Sequence, residues 1–208
     1  MENKILKKII EWAFCFIFAV LLAVCIRYCL LAPTMVKQNS MYPILKEKQR
    51  IVLDRTYRIS NKEYKRGDIV TFEAPSQISQ NINISNPIAQ YYYKPQNLLE
   101  ELKYNILEIN KISYIKRIIA VAGDKVEIKD GKVYLNDEEL EEHYLPEGIK
   151  TNQLNYNSLV VPENCVFVMG DNRNASMDSR TFGCIPINKI EGRVLLRYWP
   201  LKESGKIN

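Results

Sequence analysis

Residues 114–140 read YIKRIIAVAGDKVEIKDGKVYLNDEEL, and this stretch decides the fold class. Its first part is rich in β-branched residues and ends at a Gly-Asp pair, a pattern typical of a strand followed by a turn. Its second part alternates on both sides of Asp130-Gly131, which favours a tight hairpin. Further strands are predicted over residues 50–57, 68–75, 164–172 and 192–200. The chain is therefore expected to form a mainly β domain with an antiparallel, barrel-like sheet.

A long apolar segment precedes the β region. Residues 12–32 read WAFCFIFAVLLAVCIRYCLLA and carry a single charge, at Arg27. A helix of about 20 apolar residues is long enough to cross a bilayer. Aromatic residues mark both ends of the segment, and Pro33 is expected to stop the helix. The apolar run has no convincing small-x-small ending, which favours a retained anchor over a cleaved signal peptide.

This assignment divides the chain into three parts. They are a cytoplasmic tail over residues 1–11, a transmembrane helix over 12–33 and an extracytoplasmic domain over 34–208. Lysines in the tail favour an inside N-terminus, although the lysines just after the span leave the charge comparison open. Long domains often cross the membrane regardless of charge. We expect a single-pass protein of the cell membrane with a cytoplasmic N-terminus.

The composition excludes several classes of protein. Hydrophobic residues make up 47% of the 208 residues and charged residues 25%, which argues against a disordered chain. The formal net charge of +5 is spread along the chain, so we expect anionic lipid headgroups rather than nucleic acid as a partner. No Cys or His spacing indicates a metal site. Cys165 and Cys184 are expected to be buried free thiols, with a disulfide between them as the extracytoplasmic alternative.

Residues 76–113 interrupt the β pattern with an inserted loop and helix. Residues 76–90 are rich in Gln, Asn and Ser, so an exposed loop is expected there. Asn97 with Glu100 three residues later is typical of a capping box. A helical stripe follows the three tyrosines of this segment, with apolar residues at positions 98, 99, 102, 106 and 109. Two interpretations stay open: a helix packed on the domain's flank, or a membrane-docking or partner-binding lobe with its tyrosines at headgroup level.

The segment VKQNSMYPIL, residues 36–45, raises the question of chemistry. Ser40 is either a turn residue before Met-Tyr-Pro or a nucleophile held just above a membrane. A serine nucleophile needs a base to accept its proton, and His143 is the only histidine. His143 lies in a run of acidic residues, where we expect an exposed side chain. A Ser-His-Asp triad is therefore not predicted.

Lysine is the alternative base, provided that burial keeps its amine neutral near neutral pH. Lys116 is the candidate, because alternation along a strand places Tyr114 and Ile118 on its face and Arg117 on the other. An ammonium group between an aromatic ring and an isoleucine is poorly solvated, so its pKa should fall if this face points inward. A lysine on a solvated edge strand is the other open interpretation.

The loop GDNRNASMDSRTFG, residues 170–183, concentrates polar and charged side chains between two β segments. One interpretation is a solvated loop with Asx turns. The other is a charge-assisted network among its two Asp and two Arg residues that fixes the loop. A fixed loop could place a hydroxyl, such as that of Ser176, against a neutral lysine.

With these residues in place, the chain resembles the type I signal peptidases, membrane-anchored serine proteases of the Ser/Lys dyad kind. The resemblance extends from the anchor to about Pro200, and the size and single anchor are similar to those of Gram-positive members. It depends on four blocks in the family's order: Ser40-Met41-Tyr42-Pro43; Arg66-Gly67-Asp68; Tyr114-Ile115-Lys116-Arg117 with Gly123-Asp124; and Gly170-Asp171-Asn172-Arg173 through Ser176, Asp178-Ser179-Arg180 and Phe182-Gly183.

The resemblance implies a role for particular residues. Ser40 matches the family's nucleophile, and Lys116 matches its general base. Ser176 matches the serine that hydrogen-bonds the lysine. Asp178 and Arg180 match an ion pair that supports the site. The resemblance implies that neither a metal ion nor a cofactor is needed.

The chain departs from the family's pattern beside the nucleophile. The Ser40 backbone N–H is expected to be one oxyanion donor. Two residues earlier, where family members usually have Ser, Thr or Gly, this chain has Gln38. Either the Gln38 amide or its backbone supplies the second donor, or the oxyanion hole is weaker. Tyr114 is expected to support the site from the strand that carries Lys116.

The resemblance also implies a reaction. The enzyme would remove N-terminal signal peptides from secreted preproteins, cleaving after small-x-small sites through an acyl-enzyme near the outer face of the bilayer. One alternative is a non-enzymatic factor of the same fold that assembles pili or surface proteins. Another is a peptidase dedicated to a few clients. Expected partners are preproteins, the lipid bilayer and, in the dedicated alternative, pilin precursors.

Overall fold

The structure, a computed structural model, describes residues 2–60, 62–76, 86–90 and 92–207. Within these ranges the strands are β1 (Leu31–Met35), β2 (Arg50–Asp54), β3 (Ile69–Glu73), β4 (Ser113–Val121), β5 (Lys125–Lys129), β6 (Lys132–Leu135), β7 (Glu138–Glu139), β8 (Ser158–Val160), β9 (Cys165–Met169), β10 (Ile185–Pro186) and β11 (Ile190–Trp199). The α-helices are α1 (Glu2–Cys29), α2 (Leu98–Glu101) and α3 (Ser179–Phe182). Single 3₁₀ turns span Thr56–Arg58, Ile187–Lys189 and Leu201–Glu203, and a π-helical turn spans Leu102–Ile106.

The strands form two sheets whose neighbours all pair antiparallel. The larger sheet has the order β1-β2-β11-β3-β4-β9-β10, and the smaller has the order β7-β6-β5-β8. The predicted hairpin is confirmed: β5 and β6 meet at Asp130 and Gly131, whose φ angles are 53° and 78°. Two positive φ angles fit the primed turns that match the twist of antiparallel strands. The mainly β, antiparallel class is thus confirmed.

The N-terminal helix ends earlier than the sequence predicts. Helix α1 ends at Cys29, and Pro33 lies in strand β1, opposite Val52 of β2. The prediction that Pro33 stops the helix was therefore wrong. Pairing with β2 begins at Leu31, and β1 is an edge strand, where the missing N–H of proline is tolerated. The helix over residues 4–29 is long and apolar enough to span a bilayer.

The core lies on both faces of strand β9. Its side chains alternate between a cluster shared with the smaller sheet and a cluster inside the larger sheet, which explains why all five of its residues are apolar. A third cluster, beneath β1 and β2, includes Met41 and Leu45. Cys165 and Cys184 are both buried in the first cluster, and both are free thiols.

The insertion between β3 and β4 begins its helix where the sequence predicts. The side chain of Asn97 accepts a hydrogen bond from the Glu100 N–H at 2.9 Å, so Asn97 is the N-cap of α2. The helix continues into the π-helical turn and then leads to β4. Most of the predicted polar loop, residues 77–85, and Tyr91 lie outside the described residues.

Candidate active site

Ser40 lies at the start of a turn that connects β1 to β2. The two ends of this connection are joined by backbone hydrogen bonds between Val36 and the Lys48–Gln49 segment, at 2.8 and 2.9 Å. The side chains of Met41 and Leu45 are fully buried and hold the turn against the core. Ser40 is itself 6% exposed. The nucleophile candidate is therefore fixed by its apolar neighbours in sequence.

Lys116 extends from β4 towards this turn. Its Nζ lies 2.6 Å from the Ser40 Oγ and donates to the carbonyl oxygen of Ile115 at 3.0 Å. The side chain is buried, with 2% of the residue exposed. The burial of Lys116 excludes the interpretation of a solvated lysine.

The electrostatic setting of Lys116 disfavours its charged form. Burial lowers the pKa of Lys116 from 10.5 to about 8. The negative charges of Asp178 and Asp171 oppose this fall, and the positive charge of Arg180 adds to it. A neutral amine is consequently available to accept a proton at mildly alkaline pH.

The strand alternation predicted around Lys116 is present in the structure. The Lys116 Nζ lies 5.4 Å from the centre of the Tyr114 ring, on the same face of β4. On the other face, Arg117 forms a two-pronged ion pair with Asp171, with nitrogen–oxygen distances of 3.0 and 2.9 Å. Arg117 also lies over the ring of Tyr144, 4.1 Å from its centre. This pair fixes the start of the 170–183 loop against β4.

The loop itself is held by a buried ion pair. Arg180 donates to both carboxylate oxygens of Asp178 at 2.9 Å, and neither side chain is exposed. Asp178 also accepts the Gly170 N–H at 3.0 Å, and Arg180 donates to the carbonyl oxygen of Arg173 at 2.8 Å. The structure therefore has the charge-assisted network and not the solvated loop.

Ser176 lies in the site but does not make the expected hydrogen bond. Its Oγ is buried and has no hydrogen-bond partner among the described residues, whereas Lys116 bonds to Ser40 and Ile115. A Cβ atom on Gly170 would lie 2.2 Å from the Ser176 Oγ and 2.4 Å from the Ser40 carbonyl oxygen. Glycine at position 170 thus lets Ser176 approach the turn that carries Ser40.

One set of contacts was not predicted from the sequence. The Asn172 N–H donates to the Ser40 carbonyl oxygen at 3.0 Å, and its side-chain amide donates to the Asn39 carbonyl oxygen at 3.2 Å. These bonds fasten the loop to the backbone of the Ser40 turn. The density of polar residues in the loop was the available signal, but it does not reveal which distant backbone the loop meets.

The remaining candidates lie at the margin of the site. Gln38 is exposed, and within the described part of the chain the Ser40 N–H donates to no protein acceptor. That N–H is therefore available to a ligand. His143 is exposed, as expected, and its Nε2 lies 3.2 Å from Glu141. A buried lysine beside a serine hydroxyl, with the histidine in solvent, defines the class of serine hydrolases that use a lysine base.

Comparison with known proteins identifies the family to which the chain belongs. The family described as signal peptidase, peptidase S26, matches residues 9–199. Signal peptidase I S of Bacillus subtilis is 31% identical over 97% of this chain and 95% of its own length. The chain therefore belongs to the signal peptidase family, peptidase S26. It is a signal peptidase I enzyme, whose activity is the removal of signal peptides, and the non-enzymatic alternative is not favoured.

Two further similarities differ in how much of each protein they cover. Thylakoidal processing peptidase 1 of Arabidopsis thaliana is 35% identical over 95% of this chain, which spans 51% of that protein. A crystal structure of a signal peptidase I from Enterococcus faecalis V583 is 28% identical, with a TM-score of 0.42. That similarity covers 64% of this chain and 98% of the crystallised chain.

Proposed function

We propose that the chain removes N-terminal signal peptides from preproteins with Ser40 as nucleophile and Lys116 as its general base. The observation that carries this proposal is the buried contact of 2.6 Å between the Lys116 Nζ and the Ser40 Oγ. A base must lie within hydrogen-bonding reach of the proton that it removes. The lowered pKa of Lys116, about 8, gives the amine the required neutral form.

Acylation follows from this geometry. The Lys116 Nζ accepts the Ser40 hydroxyl proton while the Ser40 Oγ bonds to the carbonyl carbon of the residue at position −1 of the preprotein. The C–N bond breaks, the proton passes from Lys116 to the leaving amine, and the mature chain departs. Lys116 then takes a proton from water, the hydroxide attacks the ester, and the signal peptide leaves as a carboxylic acid. Ser40 regains its proton at the end.

The oxyanion formed in each step needs hydrogen-bond donors. The Ser40 N–H, which has no protein acceptor among the described residues, is one candidate. The Gln38 amide is exposed two residues earlier and is the candidate for the second donor. Loss of one such donor typically slows catalysis about 10²–10³-fold. A Gln38→Ala variant with an unchanged kcat would rule out the side-chain donor and leave the backbone.

An open strand edge beside the dyad suits an extended substrate. Strand β3 pairs with residues 113–117 of β4, whereas β9 pairs with β4 only from Arg117 onward. Within the described residues, one edge of Ser113–Lys116 therefore carries no partner strand. An extended peptide can add to such an edge through backbone hydrogen bonds. We infer that the signal-peptide side of the cleavage site binds along this edge and reaches Ser40.

The position of Ser40 in the chain suits a substrate that arrives in a membrane. We infer that α1 spans the bilayer with its N-terminus in the cytoplasm and that residues 34–208 form the extracytoplasmic catalytic domain. Ser40 follows Cys29 by eleven residues, a distance of at most roughly 36 Å for an extended chain. The active site is thereby confined to the neighbourhood of the membrane surface, where signal peptides present their cleavage sites.

The test is cleavage of a preprotein by the full chain reconstituted in lipid. Ser40→Ala and Lys116→Ala should each abolish cleavage at an Ala-x-Ala site, whereas Lys150→Ala, which changes an exposed lysine, should not. If either Ser40→Ala or Lys116→Ala cleaved at the rate of the unmodified protein, the proposal would be contradicted. The same assay with a pilin precursor separates a general peptidase from a dedicated one.

A further inference from the structure

The insertion leaves an apolar surface uncovered. We define residues 92–112 as the insertion lobe. Six of its seven large aliphatic residues are 43–73% exposed: Leu98, Leu99, Leu102, Leu107, Ile109 and Ile112. So many large exposed aliphatic residues within one short segment point to an interaction surface. Of the five positions of the predicted helical stripe, only Ile106 is partly buried, so the stripe does not serve mainly to pack the helix on the domain.

The lobe is nevertheless held in a defined position. The Tyr104 hydroxyl donates to the carboxylate of Glu73 at 3.2 Å, and the Nζ of Lys111 lies 3.2 Å from the carboxylate of Glu191. Glu73 and Glu191 are both buried in the body of the domain. These bonds tie two points of the lobe to β3 and β11. The apolar side chains are therefore presented to the outside by a fixed support.

The lobe also reaches the end of the membrane helix. The carboxylate of Glu108 lies among three guanidinium groups, at 2.7 Å from Arg55, 3.3 Å from Arg27 and 3.7 Å from Arg58. Arg27 belongs to the last turn of α1. Because Arg27 is the one charge within the apolar residues 12–32 and lies near their C-terminal end, Glu108 lies where the apolar span meets water, and the insertion lobe surrounds it in sequence.

The same arginines fix the helix end itself. Arg55 donates to the carbonyl oxygen of Arg27 at 3.3 Å, and Arg58 donates to that of Tyr28 at 3.4 Å. Cations at a helix C-terminus satisfy its free carbonyl groups and favour its dipole. The helix, the catalytic domain and the lobe are thus joined at one cluster of charges.

The charge of this cluster suits a lipid surface. Burial raises the pKa of Glu108, but the hydrogen bond from Arg55 and the charges of Arg55, Arg58 and Arg27 outweigh that effect and lower it. Glu108 is therefore ionised at neutral pH, and one carboxylate faces three guanidinium groups. Arg27, the exposed member of the three, is complementary in charge to lipid phosphate groups, which lie at the depth of the helix end.

We propose that the insertion lobe docks onto the bilayer surface at which α1 ends, with its leucine and isoleucine side chains among the lipid headgroups and the first acyl carbons. The cluster of Glu108 with Arg27, Arg55 and Arg58 sets the depth and orientation of the lobe. The lipid surface is favoured over a protein partner because the lobe contacts the end of the membrane span through Glu108 and lies beside the arginines at that end. This contact is additional to peptide cleavage and does not depend on the Ser40–Lys116 assignment.

Fluorescence of the full chain in vesicles tests the docking. In a Trp12→Phe/Trp199→Phe background, Leu98→Trp reports on the lobe, and Val160→Trp, at an exposed position of the smaller sheet, is the matched control. We expect lipids brominated near the glycerol ends of their acyl chains to quench Leu98→Trp by about half, because interfacial segments lie roughly 5–10 Å into this region. Val160→Trp should keep its emission.

Two outcomes would overturn the proposal. Equal quenching of the Leu98→Trp and Val160→Trp variants would show that the lobe has no preferential contact with lipid. No quenching of Leu98→Trp in vesicles at low protein density would leave the apolar face to a protein partner or a second copy of the chain. Preprotein cleavage is measured on the same samples, so a loss of activity is distinguished from a loss of docking.

Discussion

At the scale of single residues, the candidate site depends on a lysine placed where its charge is unfavourable. Strand alternation predicted that Tyr114 and Lys116 share a face and that Arg117 points away, and the structure agrees. The contact between Lys116 and Ser40, which lie 76 residues apart, was accessible only through the family resemblance. The sequence could not predict that the Ser176 Oγ lacks a hydrogen-bond partner among the described residues, because such a bond is made or lost by shifts of an ångström or less.

Lys116→Met is expected to stabilise the protein while abolishing cleavage. In the unfolded chain the lysine keeps a pKa near 10.5, whereas burial lowers it to about 8 in the fold. The unfolded state therefore binds more protons between pH 8 and 10.5, so the stability contributed by this site rises with pH across that window. Below pH 8 the fold bears the full free-energy cost of burying the charged Lys116, which is up to about 3 kcal/mol.

Thermal unfolding in detergent at two pH values checks this. The melting temperature of Lys116→Met should exceed that of the unmodified protein at pH 7, and the two should converge above pH 10.5. A variant less stable than the parent at pH 7 would show that the contact with Ser40 outweighs the burial of the charge.

At the scale of elements, the 170–183 loop combines predictable and unpredictable features. Its two Asp and two Arg residues left a solvated loop and a charge network as open interpretations, and the Asp178–Arg180 and Arg117–Asp171 pairs favour the network. The sequence does not show that the Asn172 N–H donates to the Ser40 carbonyl oxygen. That hydrogen bond depends on the packing of two loops that are distant in sequence. The insertion shows the same limit: periodicity identified a face of its helix but not what covers that face.

Asp178→Asn is expected to destabilise the domain strongly. Arg180 is fully buried, and the change removes the carboxylate charge that neutralises its guanidinium group. Breaking a buried pair by neutralising one side typically costs about 3–5 kcal/mol. Chemical denaturation in detergent measures this cost.

The matched control is Asp137→Asn. Asp137 pairs with Lys125 on the surface, where both side chains are well exposed, so the change should have little effect. Similar losses of unfolding free energy in the two variants would show that the buried Asp178–Arg180 pair stabilises the domain no more than an exposed pair does.

At the scale of the whole molecule, three separate parts of the chain meet at the end of α1. The apolar length of the helix and the mainly β character of the domain were predicted from the sequence, and both are confirmed. The junction of Arg27, Arg55, Arg58 and Glu108 was not predicted, because it unites residues from three segments without a local pattern. This junction links α1 to the β domain and to the insertion lobe.

Glu108→Gln is expected to loosen the insertion lobe. The change removes the negative charge that three arginines share, and hydrogen bonds to charged groups typically contribute about 1.5–3 kcal/mol. Amide hydrogen exchange over residues 98–112 should become about tenfold faster or more. Exchange in β4 and β9 should stay unchanged.

Glu101→Gln is the control for this variant, because Glu101 is an exposed carboxylate of the same segment. Equal exchange rates over residues 98–112 in Glu108→Gln and in the unmodified protein would mean that the charge cluster does not hold the lobe.

The most direct test of the Ser40–Lys116 mechanism is the pH dependence of kcat/KM for preprotein cleavage, which reports the pKa of the base in the free enzyme. Only neutral Lys116 can accept the Ser40 proton, so the rate should rise about tenfold per pH unit below pH 8 and level off above it. His143→Ala should leave this profile unchanged. A rising limb centred between pH 6 and 7, about where unperturbed histidine titrates, and lost in His143→Ala, would contradict the assignment of Lys116 as the general base.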